Sequence, residues 1–349
     1  MRPIPETMRA LELRSYEGGA DSLALVEKPV PRPGKGQALV RVAASPVNPS
    51  DLMFLRGMYG IKKRLPVVPG FECSGEVVAA GGGVWPRYLV GKRVACAAPT
   101  SGDGTWAEFM LADASHCIPL RRATDIEQAS TMIVNPFTAW ALVGMAKEAR
   151  AEAIVQTAAA SALGRMIVRL ATSRGVQSVN VVRRAEQVEL LRSEGAANVL
   201  NSSDEDFDER LREMCKRLRA TVLLDAVAGE LTGRVLRAMP SGATAIVYGA
   251  LSLGGCLVDP RSLIFERKSV RGFWLSDWIR TQGALGKFRA SGNVQKLLGN
   301  ELKTEIRERL PLERAAEGIK QYAHEMTGGK LLLVPGLEAG GRKQEQEAD

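Results

Sequence analysis

The segment EAIVQTAAASALG, residues 152–164, decides the fold. Its first half, EAIVQTA, is a short apolar run of strand type. Small residues follow, and the chain then enters LGRMIVRLATSRG, in which Met166, Ile167, Leu170 and Ala171 fall on one helical face. Strand, small-residue turn and helix, in that order, make a place for a dinucleotide. The backbone can approach a pyrophosphate closely there, and the helix N-terminus offers N–H groups and a favourable dipole. Ala160, Ser161, Leu163 and Gly164 are the candidate contacts. The form G-x-G-x-x-G is absent, so the segment taken alone also fits a tight packing contact between strand and helix.

Downstream, QSVNVV, ANVLNS, TVLLDAV, ATAIVYG and SVRGFWL bring the candidate strands to six. Between the second and third, AEQVELLRSEGA gathers Val188, Leu190 and Leu191 and ends at Gly195. Strands alternating with helices imply a parallel sheet covered on both faces, a doubly wound α/β domain. The strand QSVNVV runs into Arg183-Arg184, 19 and 20 residues beyond Gly164. A carboxylate at this place would bind a ribose 2′-hydroxyl, whereas guanidinium groups match a 2′-phosphate. NADPH is therefore the expected cofactor. A solvated surface pair is the plainer alternative.

Upstream, ALELRSY, QALVRVAASPV, CSGEVVAAG, GKRVACAAP and GTWAEFMLA are strand-like runs punctuated by Gly and Pro, which reads as an irregular β domain. DIEQASTMIVNPFTAWALVGMAK is expected to be helical. From about residue 275, helical AAEGIKQYAHEM and a late strand, KLLLVP, return to the first domain. The expected division is 1–130 with 275–349 for the β-rich domain and 131–274 for the nucleotide domain. The polar, Gly-rich tail GLEAGGRKQEQEAD is expected to be disordered.

A chain of 349 residues exceeds what one core usually supports, consistent with two domains. Aromatics at 5% argue against a stacking platform for single-stranded nucleic acid. The net charge of +8 is dispersed among acids and forms no basic-aromatic stripe, so nucleic acid is not the expected partner. A non-catalytic cofactor-binding or nucleic-acid-binding protein is the remote alternative. Five scattered cysteines without a C-x-x-C pair suit buried thiols in a reducing compartment. No export signal and no apolar run of membrane length is visible, so a cytoplasmic protein without membrane contact is expected.

The two histidines, His116 and His324, have no cysteine or acid at ligand spacing. A catalytic zinc needs about three protein ligands, so no metal is expected. No G-x-S-x-G elbow supports a serine hydrolase either.

With these residues in hand, the chain resembles the medium-chain dehydrogenase/reductase superfamily from Met8 to about Pro335. Zinc-dependent alcohol dehydrogenases of that superfamily carry Cys and His in the segments written here VNPSD and PGFECSG. This sequence has Asn48 and Phe71 instead, like the zinc-free branch. VNPSDLMFLRGMYG, GTWAEF, VNPFTAW, QTAAASALG, NVVRR and RGFWLSDW are similar to the mitochondrial-type 2-enoyl thioester reductases, while PGFECSGEV is more similar to the NADPH:quinone reductases.

The resemblance implies a GroES-like catalytic domain beside a Rossmann domain, a homodimer paired around Phe273, and a mitochondrial form as an alternative location. It also implies Tyr59 and Asn48 as catalytic residues, with Asn135, Thr138, Tyr248, Phe273 and Trp274 at the cofactor. The activity implied is NADPH-dependent reduction of an activated C=C bond in a small-molecule or thioester substrate. A trans-2-enoyl thioester is favoured, with a quinone, enal or enone as the alternative. Hydride to the β-carbon builds an enolate, and a hydrogen-bond donor such as the Tyr59 phenol lowers that barrier. Trp106 and Trp274 are further candidates to wall an acyl pocket, or equally core or subunit-contact residues. Lys62-Lys63-Arg64 is either a contact for coenzyme A phosphates or a solvated face.

Overall fold

The computed structural model describes residues 3–324 and 326–337. The chain forms two compact units. Among the described residues, the first holds 3–134, 293–299, 303–324 and 326–337, and the second holds 135–292 and 300–302, while the tail expected to be disordered lies, from 338 on, outside the described residues. The helical region just beyond residue 275 thus groups with the second unit as far as Gly292.

In the first unit, β1 (Thr7–Leu13) and β2 (Leu23–Pro29) form an antiparallel pair. They are followed by β3 (Gln37–Pro46), α1 (Pro49–Leu55), β4 (Glu72–Ala80), α2 (Val84–Leu89), β5 (Arg93–Ala97), β6 (Phe109–Asp113), β7 (Cys117–Pro119) and α3 (Ile126–Ser130). The strand β3 is the hub, antiparallel to both β4 and β6. Both of its faces contribute to a core, although Gln37 and Arg41 remain partly exposed. Leu39 packs into one core with Leu11, Phe54 and Trp106, while Ala38, Val40 and Val42 pack into another with Cys73, Val94 and Cys96.

The second unit begins with α4 (Asn135–Glu148). It then alternates β8 (Ala153–Gln156), α5 (Ala162–Ser173), β9 (Gln177–Val182), α6 (Ala185–Ser193), β10 (Asn198–Asn201), α7 (Phe207–Leu218), β11 (Ala220–Asp225), α8 (Gly229–Ala238), β12 (Thr244–Val247), α9 (Pro260–Ile264) and β13 (Ser269–Gly272), followed by α10 (Leu275–Thr281) and α11 (Ala284–Leu297), whose residues from Asn293 on belong to the first unit. All six strands pair in parallel, in the order β10-β9-β8-β11-β12-β13. This is the doubly wound dinucleotide-binding order, whose switch point lies between the first strand and the fourth, here β8 and β11. The expected helical face of α5 is buried, with Met166, Ile167 and Ala171 at 0% exposure.

The chain returns to the first unit with β14 (Ile306–Leu310), α12 (Leu312–His324) and β15 (Lys330–Leu333). The strand β15 pairs antiparallel with the end of β3, Leu332 opposite Pro46. That register brings Lys330 beside Val47 and Asn48.

Two local expectations change. The stretch 125–147 is not one helix but α3 and α4, interrupted at Thr131–Val134. The amides of Ile133 and Val134 donate to the Glu72 carboxylate instead of to helical carbonyls, at 2.8 and 2.9 Å. The β-rich region also contains α1, which was not expected there. Asn48 and Asp51 cap it reciprocally and Pro49 starts it, a nucleus that needs no apolar periodicity. Of the five cysteines four are buried and Cys256 is exposed, all as free thiols.

Candidate active site

The candidate residues fall into two sets, one in each unit. In the first unit, Asn48 is fully buried at the start of α1. Its amide is held from both ends. Nδ2 donates to Glu72 Oε1 at 2.8 Å, and Oδ1 accepts from the Lys330 ammonium. Lys330 Nζ also donates to the Val47 carbonyl at 3.2 Å, and the Asn48 N–H donates to Asp51 Oδ2 at 2.7 Å. Glu72, Asp51 and Lys330 are at most 1% exposed. Burial pushes the carboxyls of Glu72 and Asp51 up to about 7 and the Lys330 ammonium down to about 8. The charges stay buried because each faces an opposite charge or a hydrogen bond.

Phe71 packs against Tyr59 with ring centroids 4.9 Å apart and planes tilted by 40°, and meets Phe54 edge-on at 5.6 Å. Tyr59 is half-buried on the bend that follows α1. The two positions at which zinc-dependent dehydrogenases carry Cys and His therefore do not fit a metal. One is an amide already satisfied by an ammonium and a carboxylate, and the other is an aromatic packing residue. Among the described residues, no three His, Cys, Asp or Glu side chains come together as a ligand set. Trp106 is a core residue at 0% exposure, not a pocket wall.

In the second unit, the turn after β8 is as tight as a dinucleotide requires. A Cβ on Gly164 would lie 2.4 Å from the Ala159 carbonyl oxygen and 2.7 Å from that of Ala158, so only glycine fits. Ser161 caps α5, its Oγ accepting from Gly164 N at 3.0 Å. Ala160 is buried, and Ser161 and Leu163 are half-buried at the same turn. Ala158 takes φ of +50°, and after β11 Ala228 takes φ of +62°, backbone that L residues adopt only under constraint. The constraint at the second turn is Asp225. Its Oδ1 accepts from Thr157 Oγ1 at 2.7 Å and from the amides of Val227 and Ala228 at 2.9 and 3.2 Å, and its Oδ2 accepts from Thr232 Oγ1 at 2.6 Å.

Arg183 and Arg184 are exposed at the end of β9. Arg184 Nε is already on Glu186 Oε1 at 2.7 Å. Arg183 is held only through its backbone, by Gln187 and Ser203, and its guanidinium makes no bond among the described residues. The Tyr248 hydroxyl is buried with no partner among the described residues. An unpaired buried hydroxyl costs about 1–3 kcal/mol, so a ligand atom there would stabilise the fold. Phe273 is half-buried and Trp274 is 37% exposed, just past β13. Asn135 and Thr138 are buried in the first turn of α4, at 6% and 7% exposure. These residues fit a dinucleotide: a turn closed to any Cβ, an orphaned hydroxyl and an uncommitted guanidinium.

Glu72, Lys330 and Asp51, like Asp225, Thr157 and Thr232, were not among the candidates read from the sequence. Only a lone acid closing an apolar strand, as in TVLLD, hinted at Asp225.

The family profile described as Alcohol dehydrogenase GroES-like domain matches residues 34–122, and that of Zinc-binding dehydrogenase matches 162–289. A mitochondrial enoyl-[acyl-carrier-protein] reductase of Caenorhabditis elegans is 30% identical over 304 residues, 85% of this chain and 83% of that protein. A Mesorhizobium loti structure described as an NADPH:quinone reductase superposes with a TM-score of 0.88 at 36% identity, covering 95% of this chain and all of that one. A mycobacterial protein complexed with NADPH superposes with a TM-score of 0.80 at 26% identity, covering 94% of this chain and 100% of that one.

Proposed function

Because the chain belongs to the medium-chain dehydrogenase/reductase superfamily of oxidoreductases, we propose that it is an NADPH-dependent reductase of activated C=C bonds, acting on a trans-2-enoyl thioester. In this reading the backbone at 160–164 holds the pyrophosphate, Arg183 the 2′-phosphate, and Tyr248, Phe273 and Trp274 the remainder of the cofactor. Asn135 and Thr138 shape the same site from α4. Bound there, NADPH supplies the hydride that adds to the substrate β-carbon.

The first unit supplies the proton chemistry. As the C=C bond is reduced, negative charge collects on the thioester oxygen. The Tyr59 phenol donates a hydrogen bond to that oxygen or its proton to the α-carbon, and solvent reprotonates it. Phe71 fixes the plane of the Tyr59 ring. Asn48 is a positioning residue, since both ends of its amide are engaged away from solvent and its buried network anchors α1, which leads into Tyr59.

The observation that carries this reading is the Tyr59 phenol packed against Phe71, the side chain that stands at one of the two positions where zinc-dependent relatives carry a ligand. Tyr59→Phe keeps the ring and deletes the donor. It should lower kcat for crotonyl thioester by about 10²–10⁴-fold with NADPH affinity little changed. A variant within about twofold of wild type would end the donor role.

A second reading, quinone reduction on the same cofactor site, is favoured by the 36% identity to the Mesorhizobium loti structure. Comparing crotonyl thioester with a small quinone in wild type and Tyr59→Phe separates the two. A homodimer is also proposed. The strand β13 lies at the edge of its sheet with all four residues exposed, near exposed Ile264 and Phe265.

A further inference from the structure

A cavity of about 400 Å³ opens in the first unit, walled by Lys28, Lys62, Lys63, Arg64 and the loop Thr100–Asp103. Its volume falls within the range of small-molecule sites. Four cations face it and one carboxylate. That carboxylate is already committed, since Asp103 pairs with Lys28 at 2.6 Å and accepts from Val68 N at 2.9 Å. Lys62, Lys63 and Arg64 have no carboxylate within ion-pair distance among the described residues.

Lys63 is the informative member. It is 8% exposed, and its backbone is pinned by the Tyr16 hydroxyl, which accepts from Lys63 N at 2.9 Å and donates to Lys63 O at 2.8 Å. Its ammonium, with three donors, meets one acceptor, the Pro99 carbonyl at 3.0 Å. Burial draws its pKa down to about 8. A buried ammonium held in place and short of acceptors is costly unless an anion completes it. The two exposed cations beside it, one of them a guanidinium fork, give the excess of charge a phosphate dianion needs.

We propose that this cavity binds the phosphate-bearing handle of the thioester substrate, with Lys62, Lys63 and Arg64 as its ligands. The proposal rests on the thioester reading above and names the part of that substrate recognised away from the reacting carbons. Lys62 follows Tyr59 by three residues, so their Cα atoms are at most about 11 Å apart. An extended pantetheine arm spans more than that.

The test compares crotonyl-coenzyme A with crotonyl-pantetheine, which carries the same thioester and no phosphate. In Lys62→Ala/Arg64→Ala, and separately in Lys63→Met, the ratio of kcat/KM for the first over the second should fall at least tenfold, through KM. An unchanged ratio overturns the proposal. Crotonyl-4′-phosphopantetheine, bearing a single phosphate, shows which phosphate is read. It behaves like crotonyl-coenzyme A if the pantetheine phosphate is bound, and like crotonyl-pantetheine if the nucleotide phosphates are. Should wild type turn over no thioester at all, the enzymatic reading fails by itself. The cavity is then judged by calorimetric titration with free coenzyme A. Binding weakened tenfold in the double variant upholds the site, and no binding to wild type removes it.

Discussion

At the residue scale, the proposed choice of NADPH rests on two adjacent arginines that the structure makes unequal. Arg184 is tied to Glu186, whereas the Arg183 guanidinium is uncommitted at the same strand end. Charge-assisted hydrogen bonds contribute about 1.5–3 kcal/mol each, so Arg183→Ala should reduce the NADPH over NADH preference by at least about tenfold. Arg184→Ala should cost less, because its guanidinium is already engaged by Glu186. Equal NADPH/NADH ratios in wild type and Arg183→Ala would show that this arginine does not read the 2′-phosphate. The arginine pair was legible in the sequence because both residues directly follow a strand. Their inequality was not, since it depends on where Glu186 points.

At the element scale, α1 and β15 share one buried network, and its charges make specific demands. Lys330 is the cation facing Asn48, Glu72 and Asp51. Lys330→Met removes it and leaves buried carboxyls uncompensated, a change that typically costs about 3–5 kcal/mol. Thermal unfolding should shift down by at least about 6 °C, and a shift within a degree would mean that the network is not holding the first unit together. The carboxyls also set a pH dependence. Burial lifts Asp51 to about 7, above its range in the unfolded chain, so the folded state binds the proton more tightly. Its contribution is present below the unfolded pKa and is lost as pH rises towards 7. Asp51→Asn keeps the shape and an acceptor for the Asn48 amide but cannot ionise. Between about pH 4 and 7 it should therefore gain stability relative to wild type, with a slope approaching 1.4 kcal/mol per pH unit. Denaturant melts of both proteins across that range check the sign, and a gap independent of pH would remove the argument.

At the scale of the whole molecule, the exposed edge of the second unit's sheet is a surface a monomer would have to guard. The four residues of β13 are open to solvent, as are Leu257, Ile264 and Phe265 at 62%, 66% and 76% exposure. A two-fold pairing of β13 with a copy of itself would satisfy the edge and cover these side chains. Light scattering should give twice the chain mass, and Val270→Lys with Phe265→Asp should give the single mass. A wild-type monomer at micromolar concentration would remove the pairing.

The sequence by itself determined the alternation of strands and helices from EAIVQTA to SVRGFWL, because apolar period and turn chemistry act over a dozen residues at most. It also offered the turn at 160–164 and, through the family resemblance, Tyr59 as candidates, each carried by a short contiguous segment. The tertiary structure alone decided the rest. The pair Asn48–Lys330 spans 282 positions, and no periodicity links a residue leading into α1 to the first residue of β15. Only the antiparallel register of β15 on β3 joins them. The break between α3 and α4 has the same origin. A carboxylate from β4, more than 60 residues upstream, takes two amides that a local reading assigned to a helix. Where a buried charge must find its partners, chain distance carries no weight, and only the folded chain shows which groups meet.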